Sequence, residues 1–561
     1  MATDHREAEQ PAIKTSDSDN LQEEAEFVET NDVPGKCNSA VFDTTDELDD
    51  LNLNLANGVI QNHRGTITSL IRRRSKRSNT LRDEETDPDL VNSNASEEAN
   101  SIEQSELSSE LSDDENLKNG LEGLSLQDTE SVPEESPSVA LTPSSSETDY
   151  VNSLEWKQQK KHIFILSESG KPIYSRHGSE DKLVTIMGVM QALVSFVQDD
   201  KDNLRSIVAG DHTFVFMNRD HLTFVGVTRG RESTQQMLLQ LTYMYNQVIS
   251  VLTHNTLVRT FKAHRNFDLR RPLSGAEKFF DNLLNLMDVE PGLLLTSVRC
   301  LPLDSSVREI VSQTIVQHAK VKDLVFALII AQNQLVALVR MKRYYLHPMD
   351  LHLIINLINA SESFKAAESW TPICLPKFDA TGFLQAYVSY LDEDCQSCLL
   401  LLSVDIEAFY TLSECRAKIK ERLVRYNALT AISNSLQRHS YSVQQCSIGD
   451  LRHFLYKARS TAQYTSPELG PPYNTPEQQD RLFGLYHFLH DKVHSSSRPL
   501  KLLYHVGKYE TLLGWVTQGF ELYAVFGPLV TKNVAIHAVN KLLRWIKREE
   551  DRLFILSSVT F

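Results

Sequence analysis

Gly170 and Lys171 are the first residues to consider for chemistry, because a Gly-Lys pair occurs in phosphate-binding loops. A P-loop would also require a glycine at position 165 and a serine or threonine at position 172, where the chain has Ile165 and Pro172. Without those residues the backbone cannot form the glycine-rich cradle that holds phosphates. We therefore expect that the chain does not bind a nucleotide itself.

Two other stretches contain residue types that bind metals. Cys395 and Cys398 have the spacing of half a zinc site, but no second cysteine pair follows at the distance that zinc requires. His487, His490 and His494 share one face of a predicted helix, which either binds a metal or is solvated; solvation is favoured because the apolar stripe lies on a different face. The sequence also has no nucleophile elbow and no convincing catalytic triad or carboxylate pair. We expect no metal, no cofactor and no covalent catalysis.

The Gly-Lys-Pro turn lies in a predicted β-hairpin over residues 162–178, where an apolar strand precedes the turn and a short strand follows it. Amphipathic periodicity and turn residues predict the elements that follow: a helix over 182–198, strands over 204–209, 213–217 and 222–228, and a helix over 233–252. This order predicts an α+β domain in which helices flank an antiparallel sheet.

The helix over residues 182–198 has more apolar surface than one sheet can cover. Its main stripe is expected to lie on the sheet and consists of Leu183, Ile186, Met187, Met190, Leu193, Val194 and Val197. Val189, Ala192 and Phe196 form a second stripe on a different side. We expect a partner to pack there.

Three runs in this region resemble the monensin-sensitivity (Mon) vacuolar fusion protein family. They are HIFILSESGKPIYSR (residues 162–176), TFVFMNRD (213–220) and LLQLTYMYNQV (238–248). The resemblance covers residues 156–561 and implies three longin domains. Each longin domain is a five-stranded antiparallel sheet between helices, and such domains occur in membrane-traffic proteins.

The layout of the remaining chain is consistent with three such units. The expected parts are a disordered acidic regulatory tail over residues 1–150, a first longin domain over 156–258, a second over 293–428 and a third over 450–561. The tail holds 35 Asp and Glu against 11 Lys and Arg, of the 74 acidic and 57 basic residues in the chain. The body that remains is mildly basic. An acidic tail of this kind is expected to regulate, through phosphorylation or by covering the basic body.

The resemblance also implies a function. Members of the family form an obligate heterodimer with a calcium-caffeine-zinc sensitivity (Ccz) protein, another longin protein. The pair is the guanine-nucleotide exchange factor that activates the late-endosomal, Rab-seven-type GTPase in endosome maturation and in vacuole or lysosome fusion. An upstream early-endosomal Rab and an anionic, phosphoinositide-containing membrane are further implied partners. We expect a cytoplasmic protein that is recruited peripherally to endosomal and lysosomal membranes.

Specific residues can be assigned to these partners as hypotheses. The stripe of Val189, Ala192 and Phe196 would bind the Ccz protein. The hairpin residues that would face the GTPase are Ser167, Glu168, Lys171 and Pro172, although they equally fit a simple turn. The residues that would face anionic lipid are Arg72, Arg73, Arg74, Lys76 and Arg77 in the tail, and Lys541, Arg544, Lys547 and Arg548 on the last helix. For both basic groups a solvated surface is the alternative.

Other functional classes stay open on sequence grounds. Longin domains also occur in coat subunits and in regulatory domains of SNARE proteins, so a non-catalytic tether or trafficking adaptor is the main alternative. A hydrolase with a dispersed site would require a convergent pocket. Nucleic-acid binding is not expected, because no basic stripe alternates with aromatic residues.

Overall fold

The structure is a computed structural model that describes residues 154–561, except for residue 231 and residues 439–440, and a two-residue strand, β1 (Val28–Glu29). Three antiparallel sheets, each of five strands with helices against it, form the described body, and short parallel strands extend two of them. The predicted basic residues of the tail, positions 72–77, lie outside the described residues.

The first unit contains the predicted hairpin. Its elements are α1 (Leu154–Gln158), β2 (Lys161–Ser167), β3 (Pro172–Ser175), a 3-10 helix (Glu180–Leu183), α2 (Val184–Asp199), β4 (Ser206–Ala209), β5 (His212–Arg219), β6 (Leu222–Thr228), α3 (Thr234–Leu252), α4 (His254–Ala263) and α5 (Glu277–Val289). The hairpin, the three strands and both long helices that the sequence predicts are confirmed.

Helices cover both faces of the first sheet, because β2 has apolar side chains on both of its faces. Phe164 and Leu166 pack into the core beneath α2, whereas Ile163 and Ile165 belong to the core on the α3 side. A capping box fixes the start of α3, where Ser233 accepts from the backbone of Gln236 and the Gln236 side chain accepts in return. The sheet therefore lies between α2 and α3.

The second unit follows two short connecting elements and a helix. The elements are α6 (Pro291–Leu294), β7 (Val298–Arg299), α7 (Ser305–His318), β8 (Leu324–Ala331), β9 (Gln334–Arg340), α8 (Pro348–Ala360), α9 (Ser363–Ala366), β10 (Ser369–Leu375), α10 (Pro376–Asp379), β11 (Ala380–Tyr390), β12 (Ser397–Ser403), α11 (Phe409–Arg425) and α12 (Ala428–Gln437). Strand β8 is buried along its whole length and lies in the centre of the sheet.

The third unit begins after a short 3-10 helix. The elements are that 3-10 helix (Val443–Cys446), β13 (Leu451–Ala458), β14 (Gln463–Thr465), α13 (Pro476–Val493), β15 (Leu502–Val506), β16 (Thr511–Val516), β17 (Phe520–Phe526), α14 (Lys532–Arg548), α15 (Glu550–Leu553) and β18 (Val559–Thr560). Helix α13 has a capping box at Thr475 and a proline at its first position, which is where proline is tolerated.

All three sheets have the same strand order. Numbered within each unit, the strands are arranged second, first, fifth, fourth, third: β3-β2-β6-β5-β4, then β9-β8-β12-β11-β10, then β14-β13-β17-β16-β15. In each unit the first long helix follows the second strand, so α2, α8 and α13 occupy the same place in the topology. Short parallel strands extend the second and third sheets: β18 beside β9, β7 beside β14 and β1 beside β15.

Within the part of the chain that the structure describes, no helix combines the length and the apolar composition that a bilayer span needs.

Candidate functional site

Helix α2 presents an apolar face that nothing in the described chain covers. Val189 is 57% exposed and Phe196 is 72% exposed, and Ala192 and Leu193 are exposed between them. Asp199, the last residue of the helix, is its one charged residue. A helix face without charges is an unusual surface for water and a common surface for a protein partner.

The opposite side of α2 explains why this face points outward. Met187, Met190 and Val194 are buried in the core under the helix, and Val194 has no exposed surface. Leu193, which the sequence placed in the buried stripe, is 43% exposed, so that assignment is wrong. Adjacent residues on a helix point about 100° apart, and with Val194 at the centre of the contact Leu193 turns to the outer side. The outer face is therefore larger than predicted.

The hairpin tip lies beside α2. Gly170 has a left-handed backbone, with φ of 78°, and a Cβ placed there would lie 3.3 Å from the Gln191 side chain. A side chain at position 170 would be strained by the backbone angle and crowded by α2. The β2–β3 turn and α2 thus form one continuous surface.

Two of the four hairpin residues predicted to face a GTPase are buried. Ser167 is 1% exposed, and its hydroxyl accepts from the Lys171 backbone N–H at 3.0 Å and lies 2.9 Å from the Ser169 hydroxyl. Pro172 is also buried, at the start of β3. Their place is to shape the turn, so neither offers a side chain to a second protein.

Glu168 and Lys171 are the two exposed residues among the four that were predicted to face a GTPase. The Glu168 carboxylate is 56% exposed and lies 2.6 Å from Nδ1 of His221, in the turn between β5 and β6. The Lys171 ammonium donates to the backbone carbonyl of Asn266 at 2.6 Å. One carboxylate and one ammonium are therefore held at defined positions next to the α2 face.

A buried ion-pair network anchors the other end of the hairpin. Lys161 is 6% exposed, and its ammonium lies 2.7 Å from Glu232 and 2.8 Å from Asp288 on α5. Burial raises the pKa of Glu232, but the Lys161 charge outweighs it and leaves the pKa below its ordinary value. No sequence motif predicts this network, because its members are far apart in the chain.

The basic residues predicted to face lipid are exposed on α14 of the third unit. They are Lys541, Arg544, Lys547 and Arg548. Lys547 lies 2.5 Å from Glu550, and Arg548 lies 3.5 Å from Glu549, so these two charges are partly balanced by neighbouring carboxylates. The other two side chains donate to backbone carbonyls, Lys541 to Ser447 and Arg544 to Asn540.

His487 and His490 on α13 and His494, which follows its last residue, do not form a solvated face, because all three are partly buried; that interpretation is wrong. His487 Nδ1 lies 3.2 Å from Oε1 of Gln236, at the start of α3. His494 Nε2 lies 2.9 Å from the Tyr523 hydroxyl, and the His490 and His494 rings are 4.5 Å apart. Burial lowers the pKa of His490 well below its ordinary value. The described residues contain no group of three His, Cys, Asp or Glu side chains that could hold a metal.

Comparison with known families identifies all three units. Residues 161–283 match the first longin domain of FUZ, MON1 and HPS1, residues 322–421 match the second longin domain, and residues 450–550 match the third. The predicted α+β fold of three longin domains is confirmed by these matches.

Individual relatives are similar over most of the body. Vacuolar fusion protein MON1 homolog A of Bos taurus is 50% identical over 406 residues, which cover 72% of this chain and 73% of that protein. The Homo sapiens homolog A is 51% identical over 406 residues, or 72% of this chain, but these cover only 62% of that longer protein. The Homo sapiens homolog B is 43% identical over 421 residues, which cover 72% of this chain and 76% of that protein.

Proposed function

This chain belongs to the MON1 vacuolar fusion protein family, with its three longin domains, and on that premise we propose that it is one subunit of a guanine-nucleotide exchange factor that acts in endosome maturation and vacuole or lysosome fusion. The other subunit is a Ccz-type longin protein, and the substrate is a late-endosomal, Rab-seven-type GTPase. One observation carries this proposal: the uncharged outer face of α2 that the chain leaves uncovered.

The outer face of α2 fits a second longin protein. A helix of 16 residues is about 24 Å long, and its exposed apolar side can form the centre of a standard interface. Phe196 and Val189 supply the large apolar side chains that dominate such interfaces, whereas Ala192 permits close approach of another backbone. A helix of a partner that is equally short of charge is the natural counterpart.

The GTPase side of the proposal rests on Glu168 and Lys171, next to that face. A GTPase holds its nucleotide with a lysine, P-loop amides and Mg²⁺ beneath its switch segments. Exchange requires that a protein surface stabilise the opened state, and about 5.5 kcal/mol accelerates release about 10⁴-fold. A carboxylate next to the pairing surface can compete for the phosphate-binding lysine. No covalent step by this chain is needed.

The membrane side rests on the basic residues of α14. Each cation near an anionic bilayer contributes about 1 kcal/mol to binding. We expect Arg544→Glu/Arg548→Glu to weaken binding to phosphoinositide vesicles at least about tenfold, and the matched charge change Lys320→Glu/Lys322→Glu to leave binding unchanged. Equal loss in both variants would show that only the net charge matters.

The exchange proposal is tested by release of a fluorescent nucleotide from a purified late-endosomal Rab GTPase. The reaction contains this chain alone, the Ccz protein alone, or the pair, and the pair is repeated with Val189→Asp/Phe196→Asp in this chain. Tyr410→Asp is the matched control, because Tyr410 is 81% exposed but lies on α11 of the second unit. Only the unmutated pair and the control pair should accelerate release.

A stable, monodisperse pair that fails to accelerate release, both in solution and on liposomes, would contradict the exchange function and favour a tether.

The contribution of the hairpin is tested separately with Glu168→Ala and its control Asp200→Ala, another exposed carboxylate. Glu168→Ala should lower the exchange rate about tenfold or more while the pair still forms. An unchanged rate would remove Glu168 from the GTPase interface.

A further inference from the structure

The outer edge of the third sheet is paired with a piece of the tail. Val28 lies opposite Leu503 and Glu29 opposite Tyr504, in a parallel register between β1 and β15. The corresponding strands of the other two units, β4 and β10, end their sheets with no further strand among the described residues. An unpaired edge exposes backbone donors and acceptors, and an added strand satisfies them.

An apolar groove runs beside this edge, between β15, β16 and α13. Its volume is about 320 Å³, and its walls are formed by Leu485, Phe488, His505, Tyr509 and Leu512. Val506 and Tyr509 at its rim are 50% and 54% exposed. Apolar surface next to an open strand edge is the arrangement that binds an extended peptide with apolar side chains.

The surroundings of the groove are basic. Exposed cations on α13, on the loop before β15 and on the turn after it are Lys492, Arg498, Lys501 and Lys508. The Lys508 ammonium lies 5.1 Å from the centre of the Tyr509 ring, and the Arg481 guanidinium lies 4.8 Å from it. Glu510 is buried and is paired with Arg452 and Arg481, so it adds no free negative charge to the groove.

The tail segment around β1 has the complementary composition. Within residues 23–32 the acidic residues are Glu23, Glu24, Glu26, Glu29 and Asp32, and no basic residue occurs. Phe27 and Val28 are the apolar pair at its centre. This combination of an apolar dipeptide with flanking carboxylates matches an apolar edge that is surrounded by cations.

We propose that residues 23–32 of this chain dock in cis on the third longin unit as an added parallel strand along β15. Backbone pairing at positions 28 and 29 sets the register. We expect the cations Lys492, Arg498, Lys501 and Lys508 to attract the carboxylates of the segment. A tail bound in this way also blocks the edge against strands from other chains. The inference does not depend on the exchange function.

Hydrogen–deuterium exchange of the purified whole chain tests this docking, measured by mass spectrometry on peptides that cover residues 500–508. Of two successive strand residues one turns its N–H toward β15, so Val28→Pro/Glu29→Pro removes that ladder donor in either case and should accelerate exchange in residues 500–508 about tenfold or more. The matched control is Val41→Pro/Phe42→Pro, which places two adjacent prolines elsewhere in the tail and should have no effect. Both variants change only the tail, so neither disturbs folding of the third unit.

Unchanged protection of residues 500–508 in the Val28→Pro/Glu29→Pro chain would overturn the proposal, because something else then covers the edge. Equal acceleration in the Val41→Pro/Phe42→Pro control would also overturn it.

A second variant tests the charge argument. Lys501→Glu/Lys508→Glu should accelerate exchange of residues 502–506 at least about threefold, whereas Lys320→Glu/Lys322→Glu should not. No difference between these two variants would contradict electrostatic capture of the segment.

Discussion

Helices α2 and α8 occupy the same place in two copies of one fold, yet only α8 is enclosed. Each contains a single charged residue, Asp199 in α2 and Asp350 in α8. Ten of the 13 residues of α8 are buried, against four of the 16 residues of α2. The two helices have similar composition and differ in what covers them. Composition thus indicates that a helix needs cover on two sides, and only the structure shows whether the chain itself supplies it.

The cover of α8 comes from the first unit. The Asn356 side chain donates to Oε1 of Gln247 on α3 at 2.9 Å and to the Phe279 carbonyl on α5 at 2.8 Å. The Tyr243 hydroxyl on α3 lies 2.9 Å from Nδ1 of His352. These hydrogen bonds satisfy the buried side chains of Asn356 and His352 in a largely apolar helix. For α2, no segment of the described chain plays the part that α3 and α5 play for α8.

Helix α13 in the third unit is intermediate. Its outer side touches the first unit at the N-terminus of α3, where the Gln236 side chain donates to the His487 carbonyl at 2.8 Å. A surface ion pair between Lys160 and Asp480, 2.9 Å long, lies near the same contact. The three equivalent helices thus range from enclosed to open, and α2 is the open one.

The largest expected effect comes from placing a carboxylate on each helix in turn. Ile354→Asp buries an unpaired charge at a position with no exposed surface, so we expect a loss of about 4 kcal/mol or more in the free energy of unfolding, or failure to fold. Val189→Asp places the same carboxylate in solvent and should change the free energy of unfolding by less than about 0.5 kcal/mol. Denaturant unfolding measures both, and a large loss for Val189→Asp would mean that α2 is covered within the chain.

The polar junction of α8 should contribute the next largest effect. Asn356→Ala leaves its partners Gln247 and Asn282 without a hydrogen bond in a dry interface, at a cost of about 2–3 kcal/mol. Asn359→Ala is the matched control on the exposed side of the same helix, where only the bond to Asn333 is lost. Equal unfolding free energies for the two variants would contradict a structural role for the junction.

Acid should weaken the α3–α8 contact through His352. Its Nε2–H donates to the Ser297 carbonyl at 3.1 Å, and burial lowers the pKa of His352 from 6.5 to about 4. Between these values the unfolded chain binds more protons than the folded chain, so stability falls as pH falls through that window. His352→Gln should reduce this slope by up to about 1.4 kcal/mol per pH unit. Unfolding free energies between pH 7.5 and 5 measure this slope. Identical slopes for the two chains would show that the pKa of His352 is the same in the folded and the unfolded state.

The smallest expected effect is a stabilising substitution in α2, the helix that the chain leaves open. Gly188 lies inside α2, and a Cβ placed there meets nothing within 4 Å. Alanine is a better helix former than glycine, so Gly188→Ala should raise the free energy of unfolding by about 0.5–1 kcal/mol. A melting temperature that falls in this variant would indicate an unseen neighbour against α2.

The parts of the fold that follow from local pattern were predictable. Alternating apolar residues and turn residues predict β5 and β6, and helical periodicity predicts α3 to within a residue at its start. Local pattern does not predict β10, because its first half is only partly buried and lacks a clear alternation. Local pattern does not separate α12 from α11 either, because only a short break at Asn427, which has a left-handed backbone, lies between them.

The candidate site was predictable in part. The excess apolar stripe predicted exposure at Val189, Ala192 and Phe196, but not at Leu193, whose direction depends on the angle at which α2 lies on the sheet. Burial of Ser167 could not be foreseen from a turn sequence. The contact that partly covers His487 joins residues 251 positions apart in the chain, and no local pattern predicts such a contact.

The affinity of this chain for its Ccz partner tests the central claim most directly. The dissociation constant is measured for the wild-type chain, for Val189→Asp/Phe196→Asp and for the control Leu529→Asp, whose side chain is 92% exposed at a distance from α2 in the sequence. Loss of two apolar anchors should weaken pairing at least about 100-fold, while the control stays within about twofold of wild type. Wild-type affinity in the Val189→Asp/Phe196→Asp chain would contradict the assignment of the α2 face as the pairing surface.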